Sequence, residues 1–240
     1  MPTDISGHWA HKHIESMVAQ GVIAGYPDGT FRPDNAITRA EFVSMINRSF
    51  YFMQKGFIHY TDVAEGDWYY QELARAHMAG YIKGNPDGSF LPTKEITRQE
   101  AAVMLAKALR LDTSAYMPLT FTDAKSIPEW SYNAIGAVVK YGCMTGLGDG
   151  SFQPTALCSK AQAAVMLDLA REKKAWVITQ PGMYGPDSGM ATIDSNVVIK
   201  APGVILKNTT IQGCLIYGIG IREDQVTLRN VQVMGPVLHQ

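Results

Sequence analysis

The sequence predicts a mainly α-helical protein: three helix–loop–helix units in tandem, followed by a small parallel β region. Three observations predict it. Tryptophan, glycine, phenylalanine and a cation recur three times at one spacing. A capping pattern opens the second helix of every unit. After Lys174 the texture turns to β-branched runs broken by Gly and Asn.

The repeat comes first, because self-similarity at a fixed period decides the architecture. The landmark tryptophans are Trp9, Trp68 and Trp130. Sixteen residues on come Gly25, Gly84 and Gly146, then Phe31, Phe90 and Phe152, and eight further Arg39, Arg98 and Lys160. The units are expected at 1–56, 57–115 and 116–173, with the β region at 174–240.

In the first unit Trp9, Ile14, Met17 and Val18 recur at helical spacing until Gly21, and Ala36, Ile37, Phe42, Met45 and Ile46 mark a second helix. Between the helices lie Gly25-Tyr-Pro-Asp-Gly-Thr-Phe-Arg-Pro33 and its counterparts from Gly84 and Gly146. Pro-Asp-Gly is turn chemistry: proline presets φ, aspartate bonds its own turn and glycine supplies positive φ. The loop lacks the alternating carboxylates and closing Glu of a calcium site, so no metal is expected.

The second helices open Thr38-Arg-Ala-Glu41, Thr97-Arg-Gln-Glu100 and Ser159-Lys-Ala-Gln162. Thr or Ser with Glu or Gln three residues on is a capping box. That accounts for the cap and leaves the cation between unexplained. A charge of that sign at a helix N-terminus opposes the macrodipole at a cost of about 0.3–1 kcal/mol. One reading is an anion site, where a helix N-terminus and a guanidinium fork meet a carboxylate. The other is a salt bridge to an acid such as Asp4, Asp62 or Asp123. The tryptophans also carry two readings: core packing at a helix start, or an exposed face for a sugar ring.

In the tail, Val204-Ile-Leu-Lys-Asn208 matches Val226-Thr-Leu-Arg-Asn230 at a period of 22, with Gly213 opposite Gly235. This suggests a parallel β-solenoid fragment with an Asn ladder, cut from a longer chain. Asp194, Glu223 and Asp224 read as turn acids, and no catalytic set is expected.

Composition narrows the function. With 46% hydrophobic and 18% charged residues and a net charge of −1, the chain can bury a core and offers no bulk field for nucleic acid. No apolar run reaches 18 residues, so no membrane span is expected; the Met1-Pro-Thr-Asp4 start is not expected to be a secretory signal, which suits a cytosolic chain or a mature segment alike. Three cysteines without a CxxC pair predict neither a metal knuckle nor a disulfide scaffold. Cys143 aligns with Val22 and Tyr81, and Cys158 with Ile37 and Ile96, so buried free thiols are expected; a bridge between the two is the alternative.

The landmark tryptophan, the Gly25–Pro33 loop and Ile37-Thr-Arg-Ala-Glu41, repeated in register, resemble the S-layer homology family. The resemblance implies a pseudo-threefold spindle that anchors exported proteins non-covalently to the bacterial cell wall or S-layer, without a cofactor. The implied ligand is a secondary wall polysaccharide carrying pyruvate ketals, or modified peptidoglycan. By that resemblance the grooves are lined by Arg39, Arg98, Lys160, Trp9, Trp68, Trp130, Gly25, Gly84 and Gly146, with Asp67 and Glu129 accepting sugar hydroxyls. The third unit departs, with Cys158-Ser-Lys-Ala-Gln162 and Leu147-Gly148, so its groove is expected to be weak and one or two sites to work. Competing readings are a β-helical polysaccharide-degrading enzyme behind the anchor and a subunit of a surface array. The repeats themselves are expected to be monomeric.

Overall fold

The computed structural model describes residues 1–115 and 117–239. Two expected boundary positions, Tyr116 and Gln240, lie outside the described residues. The chain divides into two compact units: Met1–Glu15 with Ala24–Ala170, and Ser16–Ile23 with Arg171–Gln240.

The helices are α1 (His11–Ala19), α2 (Arg39–Phe50), α3 (Tyr70–Met78), α4 (Arg98–Ala108), α5 (Glu129–Tyr141) and α6 (Lys160–Lys174). The capping boxes form as the sequence requires. The Glu41 N–H donates to Thr38 Oγ1 at 3.2 Å while Glu41 Oε2 accepts the Thr38 N–H at 2.8 Å. Thr97 with Glu100 and Ser159 with Gln162 repeat the exchange. Ala36 and Ile37, read as part of the second helix, lie ahead of it. Their backbone is used for something else.

The three segments before α2, α4 and α6 hydrogen-bond one another in a closed circuit. The N–H of Ile37 donates to Cys158, that of Cys158 to Ile96 and that of Ile96 back to Ile37, at 2.9–3.0 Å. The first helical N–H groups also find partners across repeats: Arg39 with the Lys94 carbonyl, Arg98 with Ala156 and Lys160 with Asn35, each at 2.9 Å. Helix N-termini leave such donors orphaned, and here the neighbouring repeat satisfies them. Ile37, Ile96 and Cys158 are buried at the centre of this circuit. Packing follows the same rule. Helix α2 packs on α3 and α4 on α5, and His13 Nδ1 of α1 meets Asp168 Oδ2 of α6 at 2.8 Å.

Between the helices the loops are built alike. Asp28, Asp87 and Asp149 each accept the N–H and hydroxyl of the residue two further on. Gly29, Gly88 and Gly150 take φ of +82°, +80° and +77°, the role expected of the Pro-Asp-Gly glycine. Among the described residues the three cysteines are buried thiols, with no disulfide between Cys143 and Cys158.

The second unit contains parallel strands β1 (Trp176–Ile178), β2 (Gly182–Tyr184), β3 (Ala191–Ile193), β4 (Val197–Ile199), β5 (Val204–Ile211), β6 (Leu215–Tyr217), β7 (Val226–Val233) and β8 (Val237–His239). One sheet runs β1-β4-β6-β8; in the other β5 pairs with β2, β3 and β7. The period of 22 is the register: Val204 pairs with Val226 and Leu206 with Leu228. Asn230 Nδ2 donates to Asn208 Oδ1 at 2.9 Å. A Cβ on Gly235 would lie 2.7 Å from the Gly213 carbonyl oxygen, so only glycine fits between those levels. Val197, Ile199, Leu206 and Leu215 fill the core between the strands.

Candidate functional site: a cleft at Arg98

Each cation at a helix start turns away from its own helix toward the next repeat's loop. Arg39 Nε donates to the Phe90 carbonyl at 3.0 Å, with the guanidinium carbon 4.7 Å from that ring's centroid. Arg98 repeats this on Phe152, at 2.8 Å and 4.7 Å, and its Nη2 also donates to the Thr145 carbonyl at 3.0 Å. Lys160 reaches the first repeat, where Nζ donates to the Tyr26 hydroxyl and lies 4.3 Å from its ring centroid. Carbonyls and ring faces offset the macrodipole penalty these cations incur.

The alternative reading, salt bridges to Asp4, Asp62 and Asp123, is not what forms among the described residues. Each carboxylate instead accepts two successive N–H groups just beyond the turn: Phe31 and Arg32, Phe90 and Leu91, Phe152 and Gln153, at 2.7–2.8 Å. The second residue of each pair has positive φ, 58°, 59° and 53°. A carboxylate gathering both donors holds that backbone in place. The acids that do pair with the cations are the capping-box glutamates of the next repeat. Glu100 Oε1 lies 3.5 Å from Arg39 Nη1, and Glu41 Oε1 lies 3.4 Å from Lys160 Nζ. At the third equivalent position stands Gln162. Among the described residues Arg98 has no ion-pair partner, and its Nη1 has no acceptor.

Arg98 lines a cleft of about 370 Å³ together with Trp9, Gly146, Leu147, Gln162 and Met166. That volume lies at the small end of ligand-binding cavities. Burial lowers the Arg98 guanidinium's hold on its proton and nearby Asp123 opposes this; a guanidinium stays charged throughout. The third repeat's divergent loop, expected to belong to a weak groove, forms one wall. Leu147 and Gly148 replace the Tyr-Pro of the first repeat there, which removes the phenol that occupies Lys160.

The tryptophans are not core residues. Trp9, Trp68 and Trp130 are 63%, 62% and 57% exposed, because each stands at the solvent side of its helix start. Of the predicted site residues, Trp9, Arg98 and Gly146 converge on the cleft; Arg39, Lys160, Trp68, Trp130, Asp67, Glu129, Gly25 and Gly84 do not line it. Asp67 accepts the Ala64 N–H at 2.8 Å, and Glu129 is exposed in the first turn of α5. The loop glycines are close-approach positions: a Cβ on Gly84 would lie 2.7 Å from the Tyr60 ring, and one on Gly146 2.7 Å from the Phe121 ring. Among the described residues no group of three or more His, Cys, Asp or Glu could hold a metal.

The family model of the S-layer homology domain matches residues 3–43, 59–102 and 120–164, over half of the chain. The chain belongs to the S-layer homology family. Its three matches coincide with the three loops and cap segments described above. The chain is 31% identical over 170 residues to exoglucanase XynX of Acetivibrio thermocellus, covering 68% of this chain and 16% of that protein. It is 37% identical over 142 residues to a cellulosome-anchoring protein of the same species, covering 56% of this chain and 31% of that one. It is 30% identical over 165 residues to the surface-layer 125 kDa protein of Lysinibacillus sphaericus, covering 68% and 14%. The chain therefore spans a third or less of each of these relatives. No helix among the described residues is long and apolar enough to cross a membrane.

Proposed function

We propose that the three repeats anchor a protein non-covalently to the bacterial cell wall or S-layer by gripping an acidic wall polysaccharide, one bearing carboxylates such as pyruvate ketals. One observation carries the reading: a charged guanidinium without an acidic partner faces a cleft beside an exposed tryptophan. The guanidinium accepts the carboxylate as a charge-assisted pair, worth more than a neutral hydrogen bond. The Trp9 indole offers an apolar face to a sugar ring. Binding is reversible and leaves the glycan unchanged.

The relatives named for anchoring and surface layers support this reading. The exoglucanase shares only this segment, which supports an anchor joined to varied partners. The closed backbone circuit supports a pseudo-threefold spindle with unit bounds at 1–56, 57–115 and 116–173. The 22-residue register supports a β-solenoid fragment over 174–240. The test is co-sedimentation with wall sacculi before and after acid extraction of their accessory polysaccharide. Binding lost on extraction is expected. Binding that survives extraction would move the ligand to peptidoglycan, and no binding to either would overturn the anchor.

A further inference from the structure

We infer that Gln162 is a specificity-determining residue: it leaves the Arg98 cleft without the capping-box carboxylate that faces the other two cations, and confines carboxylate recognition to that one of three equivalent positions. The inference rests on the glycan-binding reading above and deepens it. The three cations occupy equivalent places, yet their surroundings differ in charge. Arg39 faces Glu100 at 3.5 Å and Lys160 faces Glu41 at 3.4 Å. An incoming carboxylate there meets a cation already paired, and must displace or approach a like charge. Lys94 also reaches Glu100, at 3.6 Å, but from a side chain 53% exposed, where water screens it. Lys160 is further occupied by the Tyr26 hydroxyl.

At Arg98 the same backbone slot holds an amide. Gln162 Oε1 accepts the Ser159 N–H at 3.2 Å, so it completes the capping box as a glutamate would. The structural duty of this position is therefore met by either residue. What changes is the charge on the cleft wall. Gln162 and Arg98 both line the cleft, and the guanidinium's two bonds run to neutral carbonyls. The cleft thus accepts one monoanion, and the positions holding Glu41 and Glu100 favour neutral sugar faces.

Calorimetric titration of the whole chain with a methyl hexoside bearing a 4,6-pyruvate ketal tests this, with the methyl ester of the same compound as a neutral probe. Wild type is expected to bind one acid. Gln162→Glu keeps the capping box and is expected to weaken the acid at least tenfold while the ester changes less than twofold. Glu100→Gln frees Arg39 and is expected to raise the stoichiometry above one. Equal loss of both probes in Gln162→Glu would assign Gln162 a packing role and overturn the inference, as would no loss of either. An acid probe that wild type does not bind would overturn the carboxylate reading itself, and this inference with it.

Discussion

Arg98 Nε donates to the carbonyl of Phe152 at 2.8 Å, and its guanidinium carbon lies 4.7 Å from the centroid of that same residue's ring. The two residues belong to different repeats, so the pair ties a helix start to the neighbouring loop while aiming a charge into the cleft. Arg39 with Phe90 is the same device one repeat earlier, but there Glu100 closes on the free side of the guanidinium.

Arg98→Ala removes the cation and leaves Thr97 and Glu100 to cap α4. Hydrogen bonds to charged groups contribute about 1.5–3 kcal/mol, so affinity for an acidic wall glycan should fall about ten- to hundredfold. Arg39→Ala should cost less affinity, because its guanidinium is already paired. Calorimetric titration with isolated wall polysaccharide compares the two, and equal losses would contradict the assignment.

Thr97→Ala removes the side-chain acceptor for the Glu100 N–H and should destabilise the fold by about 0.5–2 kcal/mol. Binding by the folded fraction should be unaltered. Urea unfolding followed by circular dichroism gives the first value, and titration well below the midpoint gives the second.

Two glycines fail for different reasons when given a side chain. In Gly84→Ala the new Cβ meets the Tyr60 ring at 2.7 Å, an overpacking that costs about 1–3 kcal/mol. In Gly150→Ala the Cβ has room against Thr122 at 3.4 Å, but φ of +77° places alanine in the left-handed region, at about 1–2 kcal/mol. Thermal melts of both variants with Tyr60→Leu separate them: that change should recover part of the loss in Gly84→Ala, the Ser89 carbonyl oxygen still lying 3.1 Å from the new Cβ, and none in Gly150→Ala.

Burial pushes the Cys158 thiol up to about 12, with Arg98 pulling the other way. The group stays a neutral thiol in the folded chain while the unfolded chain ionises near the model-peptide value of 9.0. Its contribution to stability is therefore intact below pH 9 and lost as pH rises from 9 toward 12. Alkylation by iodoacetamide at pH 9 should be negligible until denaturant is added, because the thiolate is the nucleophile. Rapid labelling of folded protein at Cys158 would contradict its place in the backbone circuit.

Much of the fold was legible because it is written in local chemistry. Turn residues, capping boxes and the 22-residue spacing of Val204 and Val226 each specify structure within a short window. The partners of Asp4, Asp62 and Asp123 were not legible, since a carboxylate beside a predicted cation reads as an ion pair until backbone N–H groups are placed near it. Ala36 and Ile37 misled for the opposite reason: apolar spacing suits a helix face and a buried extended segment alike. Tryptophan exposure depends on which side of the helix start faces the next repeat. The departure at Gln162 was visible in the sequence. Its meaning was not, because repetition shows which residues are equivalent and not which repeat's cation each one faces.

The central claim is that an acidic glycan is held by Arg98 in the cleft beside Trp9. The most direct measurement follows the Trp9 indole N–H resonance, assigned by Trp9→Phe, while accessory wall polysaccharide is titrated into wild type and Arg98→Ala. A saturable shift of the Trp9 signal in wild type that is lost in Arg98→Ala is expected. An unshifted Trp9 signal alongside binding detected by calorimetry, or an unchanged shift in Arg98→Ala, would contradict it.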